Sequence, residues 1–181
     1  MAELVYVDNS NVFIEGKRVS AVRNGDAPNI YDAMNNKILD NSYRMDFGSL
    51  HAFVAGDDTS NIKRACLFGS RPPPNDQIWA LAKKAGFEPI VEDRNIANKE
   101  KKIDTGIVAA MTRDACTTAD KNEDTITLVA GDADYVPAVR QLVEDGYRAD
   151  VVFWNHASRE LKDVCTNFVD LNPHLDHLRL K

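Results

Sequence analysis

Aspartate side chains stand directly after two apolar segments that the sequence predicts to be strands. Asp8 follows residues 4–7, and Asp132 and Asp134 follow residues 125–130. Because the carboxyl ends of parallel strands meet at the same edge of a sheet, we expect these three carboxylates to lie close together.

A fourth carboxylate, Asp104, lies near the start of a predicted helix, and helices that follow strands often begin at that edge. Four carboxylates in a small volume raise one another's pKa unless a cation is present. Their hard oxygen atoms suit Mg²⁺ or Mn²⁺, with water and a phosphate completing an octahedron. A metal held in this way activates a water molecule and stabilises charge on a phosphoryl oxygen, as phosphodiester hydrolysis requires. An Asp after a strand is also a common turn residue or helix N-cap, an alternative that applies most to Asp134.

The elements that must position these carboxylates alternate along the chain as in a βαβ protein. Strands are predicted at residues 4–7, 64–68, 87–91, 125–130, 149–154 and 168–171, and helices at 75–85, 101–115, 135–145 and 157–166. The first full helix is predicted to start within residues 43–50, with Asp46 near its N-terminus. In the helix at 75–85, the predicted apolar face is formed by Ile78, Leu81, Ala82 and Ala85. The sequence therefore predicts an α/β fold, with a mostly parallel central sheet and helices on both faces.

Length and composition favour one domain over residues 1–181. The chain is 44% hydrophobic and 28% charged, which is ordinary for a globular protein. Residues 12–41 are the least regular part, so we expect a lid over the site or a partly mobile insertion there. The net charge of −6 argues against a strongly salt-driven nucleic-acid binder. However, residues 61–102 carry nine basic and five acidic residues, a basic segment that could face a polyanion or form solvated helix faces.

Several protein classes are disfavoured by what the sequence lacks. No apolar run approaches the ~20 residues of a membrane helix, and the first ten residues show no secretory signal pattern. The three cysteines contain no CxxC pair, so we expect neither a disulfide framework nor a cysteine zinc site, and a cytoplasmic location fits best. No glycine-rich nucleotide-binding motif occurs. The oligomeric state stays open, a dimer included.

Three motifs occur in a fixed order along the chain. They are Val7-Asp8-Asn9-Ser10-Asn11 after the first strand, Lys101-Lys102-Ile103-Asp104 at a helix start, and Gly131-Asp132-Ala133-Asp134-Tyr135 after a later strand. This ordered set resembles the NYN domain, a family of PIN-like nucleases. Residues 44–50 and 161–171 are similar to the family's first-helix signature and closing segment.

The resemblance implies a Rossmann-like PIN/NYN fold and metal-dependent cleavage of single-stranded or structured RNA. An endoribonuclease is the favoured interpretation, and the choice between endo- and exonucleolytic cleavage stays open. On this resemblance Asp8, Asp104 and Asp132 hold Mg²⁺ or Mn²⁺, and Asp134 is a direct or water-mediated ligand. These four aspartates form the expected catalytic and metal site. Asn11 would orient a ligand carboxylate or a phosphate, and Lys101 would contact the RNA backbone.

Two positions depart from the family's pattern. Ala110 and Thr166 stand where the family usually has acids, which leaves the number of metals open. A catalytically silent NYN-fold module that binds RNA or regulates is therefore the alternative. Two rival enzymes fit less well, because a HAD-type phosphatase needs an Asp at position 10, and a Toprim-like site needs a Glu on the opening strand.

Two further side chains are expected at the same edge of the sheet. His156 follows a predicted strand and could contact substrate, although Ser158 as a helix cap explains much of that segment. Trp154 ends the same strand, where it either stacks on a nucleobase or completes the core.

Overall fold

The short apolar segments of the chain form one sheet, and the amphipathic segments between them form helices. The computed structural model describes residues 2–71, 77–93 and 99–181, with the side chains of residues 71, 93 and 99–102 outside this description. The strands are β1 (Glu3–Asp8), β2 (Ile62–Arg71), β3 (Glu88–Asp93), β4 (Thr125–Val129), β5 (Arg148–Phe153) and β6 (Asn167–Asp170). The helices are α1 (Asn9–Asn24), α2 (Ile30–Asn35), α3 (Phe47–Ala55), α4 (Gln77–Lys84), α5 (Lys99–Thr117), α6 (Val136–Glu144) and α7 (Arg159–Val164).

All strand pairs in the sheet are parallel, in the order β3-β2-β1-β4-β5-β6. Strand β1 shows why helices must cover both faces, since its alternate side chains enter two different cores. Val5 and Val7 pack in a core with side chains of α1, α3 and α4, whereas Leu4 and Tyr6 pack with α5, α6 and α7. The predicted α/β fold with a parallel sheet and helices on both faces is confirmed.

The strand order reverses between β1 and β4, which lie side by side at the centre of the sheet. In doubly wound sheets, ligands bind in the crevice at the carboxyl ends of the strands where this reversal occurs. Asp8 is the last residue of β1, and Asp132 lies three residues beyond the end of β4. The topology thus places both aspartates beside this crevice.

Residues 9–24 form a continuous helix, so the prediction of an irregular connection is wrong for this part of residues 12–41. Asp8 caps the helix N-terminus, and Gly25 ends the helix in the left-handed conformation with a φ of 85°. The helix was not recognisable because its buried face carries Glu15, Gly16 and Ser20 instead of a regular apolar stripe. Whether the segment closes over a substrate stays a prediction.

Only part of the predicted apolar face of helix α4 is confirmed, since Ala82 is buried and Ala85 is half-buried as expected. Trp79 and Ala82 are buried, whereas Ile78 and Leu81 are exposed. None of the helices in the described ranges is long and apolar enough to cross a membrane.

The segment after α2 is tied to α1 through the buried carboxylate of Asp40. This carboxylate accepts hydrogen bonds from Ser20 Oγ at 2.6 Å, from the Ser42 backbone N–H at 2.8 Å and from Asn24 Nδ2 at 3.1 Å. The hydrogen bonds from Ser20 and Ser42 are the main reason that the pKa of Asp40 lies well below its ordinary value. Ionised Asp40 therefore stabilises the folded state above its ordinary pKa, and this stability is lost as the pH falls below about 4.

We expect Asp40→Asn to lower the free energy of unfolding at pH 7 by about 1–3 kcal/mol, because an amide is a weaker acceptor for these buried donors. Urea unfolding at pH 7 and pH 3 measures the effect. The difference between the wild type and the variant should shrink at pH 3, and an equal difference at both pH values would contradict the assigned role of the charge.

Candidate active site at the carboxyl edge of the sheet

The four aspartates that the sequence predicts for the site line one cavity of about 420 Å³ at this edge. Asp8, Asp104, Asp132 and Asp134 face it from the end of β1, the second turn of α5 and the loop after β4. Asn11 of α1 also lines it. The side chain of Lys101 lies outside the described residues, so its contact with RNA stays a prediction.

Asp8 is the most deeply buried of these carboxylates, with 4% of the residue exposed. Its Oδ1 caps α1 by accepting from the Asn11 backbone N–H at 3.1 Å, and it also accepts from Ser10 Oγ at 3.2 Å. Burial raises the pKa of Asp8 to about 6, and the negative charge of Asp104 acts in the same direction. A cation beside Asp8 would therefore relieve an existing electrostatic cost.

Asp8 and Asp104 meet at the hydroxyl group of Tyr135, a fully buried residue that the sequence predictions did not assign to the site. The Tyr135 hydroxyl oxygen lies 3.1 Å from Asp8 Oδ2 and 3.0 Å from Asp104 Oδ1. A phenol has one proton, so it donates fully to only one of the two carboxylates at a time. Burial raises the pKa of Tyr135, and the hydroxyl therefore stays protonated and holds the two carboxylates close together. The aromatic residue after Asp134 in the third motif was the sequence signal for this position.

Asn11 fixes the loop after β4 to the first turn of α1. Its Nδ2 donates to Asp132 Oδ2 at 3.1 Å, and its Oδ1 accepts from the Gly131 backbone N–H at 2.9 Å. The pKa of Asp132 is raised, first by partial removal of its carboxylate from water and then by the charges of other acids, with Asp104 the largest of them. The Asn11 amide thus fixes the position of the Asp132 carboxylate at the cavity wall, where partial burial and neighbouring acids disfavour its negative charge.

Glu15 and Arg18 line the same cavity and were missed by sequence reasoning, because no helix was predicted here. Glu15 lies one helical turn after Asn11, which places both side chains on one face of α1. Its carboxylate pairs with Arg18 and with His156, whose Nε2 lies 2.7 Å from Glu15 Oε2. His156 is thus engaged by Glu15, and its predicted contact with substrate would require that pair to open.

Trp154 belongs to the core. It is fully buried, and its indole N–H donates to the carbonyl oxygen of Val12 at 2.8 Å. The indole ring therefore presents no face to a nucleobase. Of the two predicted roles for Trp154, stacking on a nucleobase or completing the core, the structure shows the second.

The oxygen donors at this edge fit a hard divalent cation. Ala110 and Thr166, which stand where the family usually has acids, supply no carboxylate to the site. Ala110 packs in the core, and Thr166 Oγ1 accepts a hydrogen bond from the Ala149 backbone N–H. Within the described ranges, no three acidic, histidine or cysteine side chains converge tightly enough to hold a metal by themselves. Mg²⁺ commonly binds through one or two carboxylates and keeps several water molecules, and the Asp8–Asp104 pair suits that mode.

Comparisons with known proteins agree with this architecture. The family model of the NYN domain matches residues 4–172. A crystal structure of a protein of unknown function from Vibrio parahaemolyticus has a TM-score of 0.67 and 18% sequence identity, covering 99% of this chain and 96% of that chain. At this identity the likeness shows the fold alone. No curated protein matches the chain.

Proposed function

Because the chain belongs to the NYN domain family, we propose that it is a metal-dependent ribonuclease that hydrolyses RNA phosphodiester bonds at the acidic cavity. The observation that best supports this function is the pair of carboxylates, Asp8 and Asp104, held together on Tyr135 against their mutual repulsion. Buried carboxylates with raised pKa values in a cleft are common where a cation or a reacting group uses them, and here Asp8 also caps α1. Asp132 and Asp134 complete the cavity wall.

The predicted site residues divide into metal ligands and residues that position a ligand or the RNA. Asp8, Asp104 and Asp132 would hold Mg²⁺ or Mn²⁺, with Asp134 a direct or water-mediated ligand. A bound divalent cation would supply Lewis acidity that activates a water molecule and offsets charge on the phosphoryl oxygens. Asn11 keeps the carboxylate of Asp132 aimed at the cavity through its hydrogen bond, and Lys101 would contact the RNA backbone.

Metal removal tests this proposal. We expect the purified protein to cleave end-labelled single-stranded RNA in Mn²⁺ or Mg²⁺, to stop in EDTA, and to recover when the metal is restored. The Asp132→Asn variant, purified in the same way, controls for contaminating nucleases and should give no products. Circular single-stranded RNA has no ends, so its cleavage distinguishes the proposed endoribonuclease from an exonuclease. Identical products from the wild type and the variant would overturn the enzyme assignment for this substrate class.

Two observations favour a second candidate, a catalytically silent RNA-binding or regulatory module. Ala110 and Thr166 stand where the family usually has acids, and the described carboxylates form no closed ligand set. Such a module would bind the labelled RNA with the same affinity in EDTA and in Mn²⁺ and would leave it intact.

A further inference from the structure

Helix α4 presents an apolar face to solvent beside the candidate active site. Leu81 is 58% exposed and Ile78 is 42% exposed, and Leu180 near the end of the chain is 50% exposed. These three side chains line a groove of about 370 Å³ between α4, the start of α1 and residues 44–48. Large apolar side chains that cluster in the open, instead of standing singly, usually mark a binding surface.

The groove and the acidic cavity lie on two sides of the first turns of α1. Asn9 lines the groove and directly follows Asp8, which lines the cavity. One turn further along the helix, Phe13 lines the groove and Ile14 lines the cavity. A polymer that crosses the N-terminal turns of α1 would therefore contact both.

Cationic side chains outnumber acidic ones along the groove, although the chain as a whole carries a net charge of −6. Arg44 and Lys84 line it, and Lys17 Nζ lies 5.0 Å above the centre of the Phe13 ring. None of these three cations forms an ion pair within the part of the chain that the structure describes. The carboxylate of Asp46 also lines the groove, and its Oδ1 is occupied as the cap of α3, accepting from the Ser49 backbone N–H at 2.7 Å.

We propose that this groove binds a nucleobase of single-stranded RNA, next to the nucleotide whose phosphate lies at the acidic cavity. Phe13 and Phe47, both partly buried against the core, contribute aromatic side chains to the groove lining. In the proposed complex these rings, Leu81 and Ile78 would contact the base, and Arg44 and Lys84 would meet the flanking phosphates. Proteins that bind single strands without reading their sequence combine aromatic platforms and a cationic groove in this way. The choice of RNA as the occupant rests on the proposed function.

A nucleobase fits these features better than a protein partner does. The groove has the volume of a small-molecule pocket, whereas a stable protein interface buries ~800 Å² of each partner. Unpaired cations around an apolar floor complement a base flanked by phosphates, while an apolar protein face would leave those charges without partners.

Fluorescence anisotropy of a labelled ten-nucleotide oligoadenylate RNA, measured in EDTA at low salt, tests the groove without cleavage. We expect Lys84→Glu and Leu81→Ser to raise the Kd about five- to tenfold. Lys83→Glu and Ala80→Ser are the matched controls, since both residues are exposed on α4 but do not line the groove. Both controls should stay within about twofold of the wild type.

An abasic strand of equal length and charge separates base binding from backbone binding. The wild type should prefer the strand with bases, and Leu81→Ser should remove that preference. Equal Kd values for the groove and control variants, no preference for bases, or no binding in EDTA would overturn the base site. RNA binding that depends on the groove, without cleavage in Mn²⁺, would contradict the proposed nuclease function but support the proposed base site.

Discussion

The Asp8→Asn variant is expected to lose RNA cleavage by at least ~100-fold and to be more stable than the wild type when metal is absent. The loss has an electrostatic cause, because a neutral amide at the end of β1 removes one of the charges that would hold the cation. The fold should persist, since asparagine is as good an N-cap as aspartate and can still accept from the Asn11 backbone N–H.

The gain in stability follows from the pKa of Asp8. Burial raises this pKa from 3.8 to about 6, so the folded protein holds the proton more tightly than the unfolded chain does. The associated stability is complete below about pH 4 and is lost as the pH rises to about 6. For the metal-free wild type, the loss of unfolding free energy is at most about 3 kcal/mol. Asp8→Asn does not suffer this loss, because asparagine carries no titratable charge. The amide can also donate to the Tyr135 oxygen while Tyr135 donates to Asp104.

Thermal unfolding in EDTA at pH 4 and pH 7 measures this change, and the advantage of Asp8→Asn should appear at pH 7 and vanish at pH 4. Saturating Mn²⁺ should then stabilise the wild type by mass action and the variant much less. Full cleavage by the variant would remove Asp8 from the proposed metal site. A variant less stable than the wild type at pH 7 in EDTA would contradict the stated electrostatic cost.

The sheet was predictable because its strands have a distinctive composition. Residues 125–129 are fully buried and β-branched or apolar throughout, as a central parallel strand requires. Once β1 and β4 are assigned as parallel strands, the position of Asp8 and Asp132 at one edge follows from topology alone. Helices α5 and α6 were equally readable, since buried side chains recur along them at helical spacing.

Helix α1, the buried face of α4 and the contacts of Tyr135 were not predicted, because they depend on tertiary contacts that leave no periodic pattern in the sequence. Helix α1 buries Gly16 against Trp154, where a Cβ atom would lie 2.8 Å from the indole Cζ2, so a small residue replaces the expected apolar one. In α4 both faces carry apolar side chains. The bulky Trp79 is buried in the core, whereas Ile78 and Leu81 are exposed to solvent. Tyr135 contacts Asp104 and Asp8, which precede it in sequence by 31 and by 127 positions. Contacts at such separations cannot be predicted from the spacing of residues within a motif.

Gly131→Ala is expected to destabilise the protein by about 3 kcal/mol, because the backbone after β4 passes directly over the Phe153 ring. A Cβ atom at position 131 would lie 2.2 Å from two carbons of that buried ring. The backbone has little freedom to retreat, since the Gly131 N–H donates to Asn11 Oδ1 and its carbonyl oxygen accepts from the Ser158 N–H at 2.8 Å. Moving this backbone would also displace the neighbouring Asp132, so RNA cleavage should fall together with stability.

Urea unfolding compares this variant with Gly106→Ala, a matched control in α5. There a Cβ atom would meet the Phe68 ring at an ordinary 3.8 Å, and alanine should stabilise the helix by about 0.5–1 kcal/mol. If the Phe153 ring causes the loss at position 131, then Phe153→Leu should recover at least ~1 kcal/mol in the double variant, beyond the sum of the two single effects. Strictly additive effects, or equal behaviour of the two alanine variants, would show that close packing against Phe153 is not what requires glycine after β4.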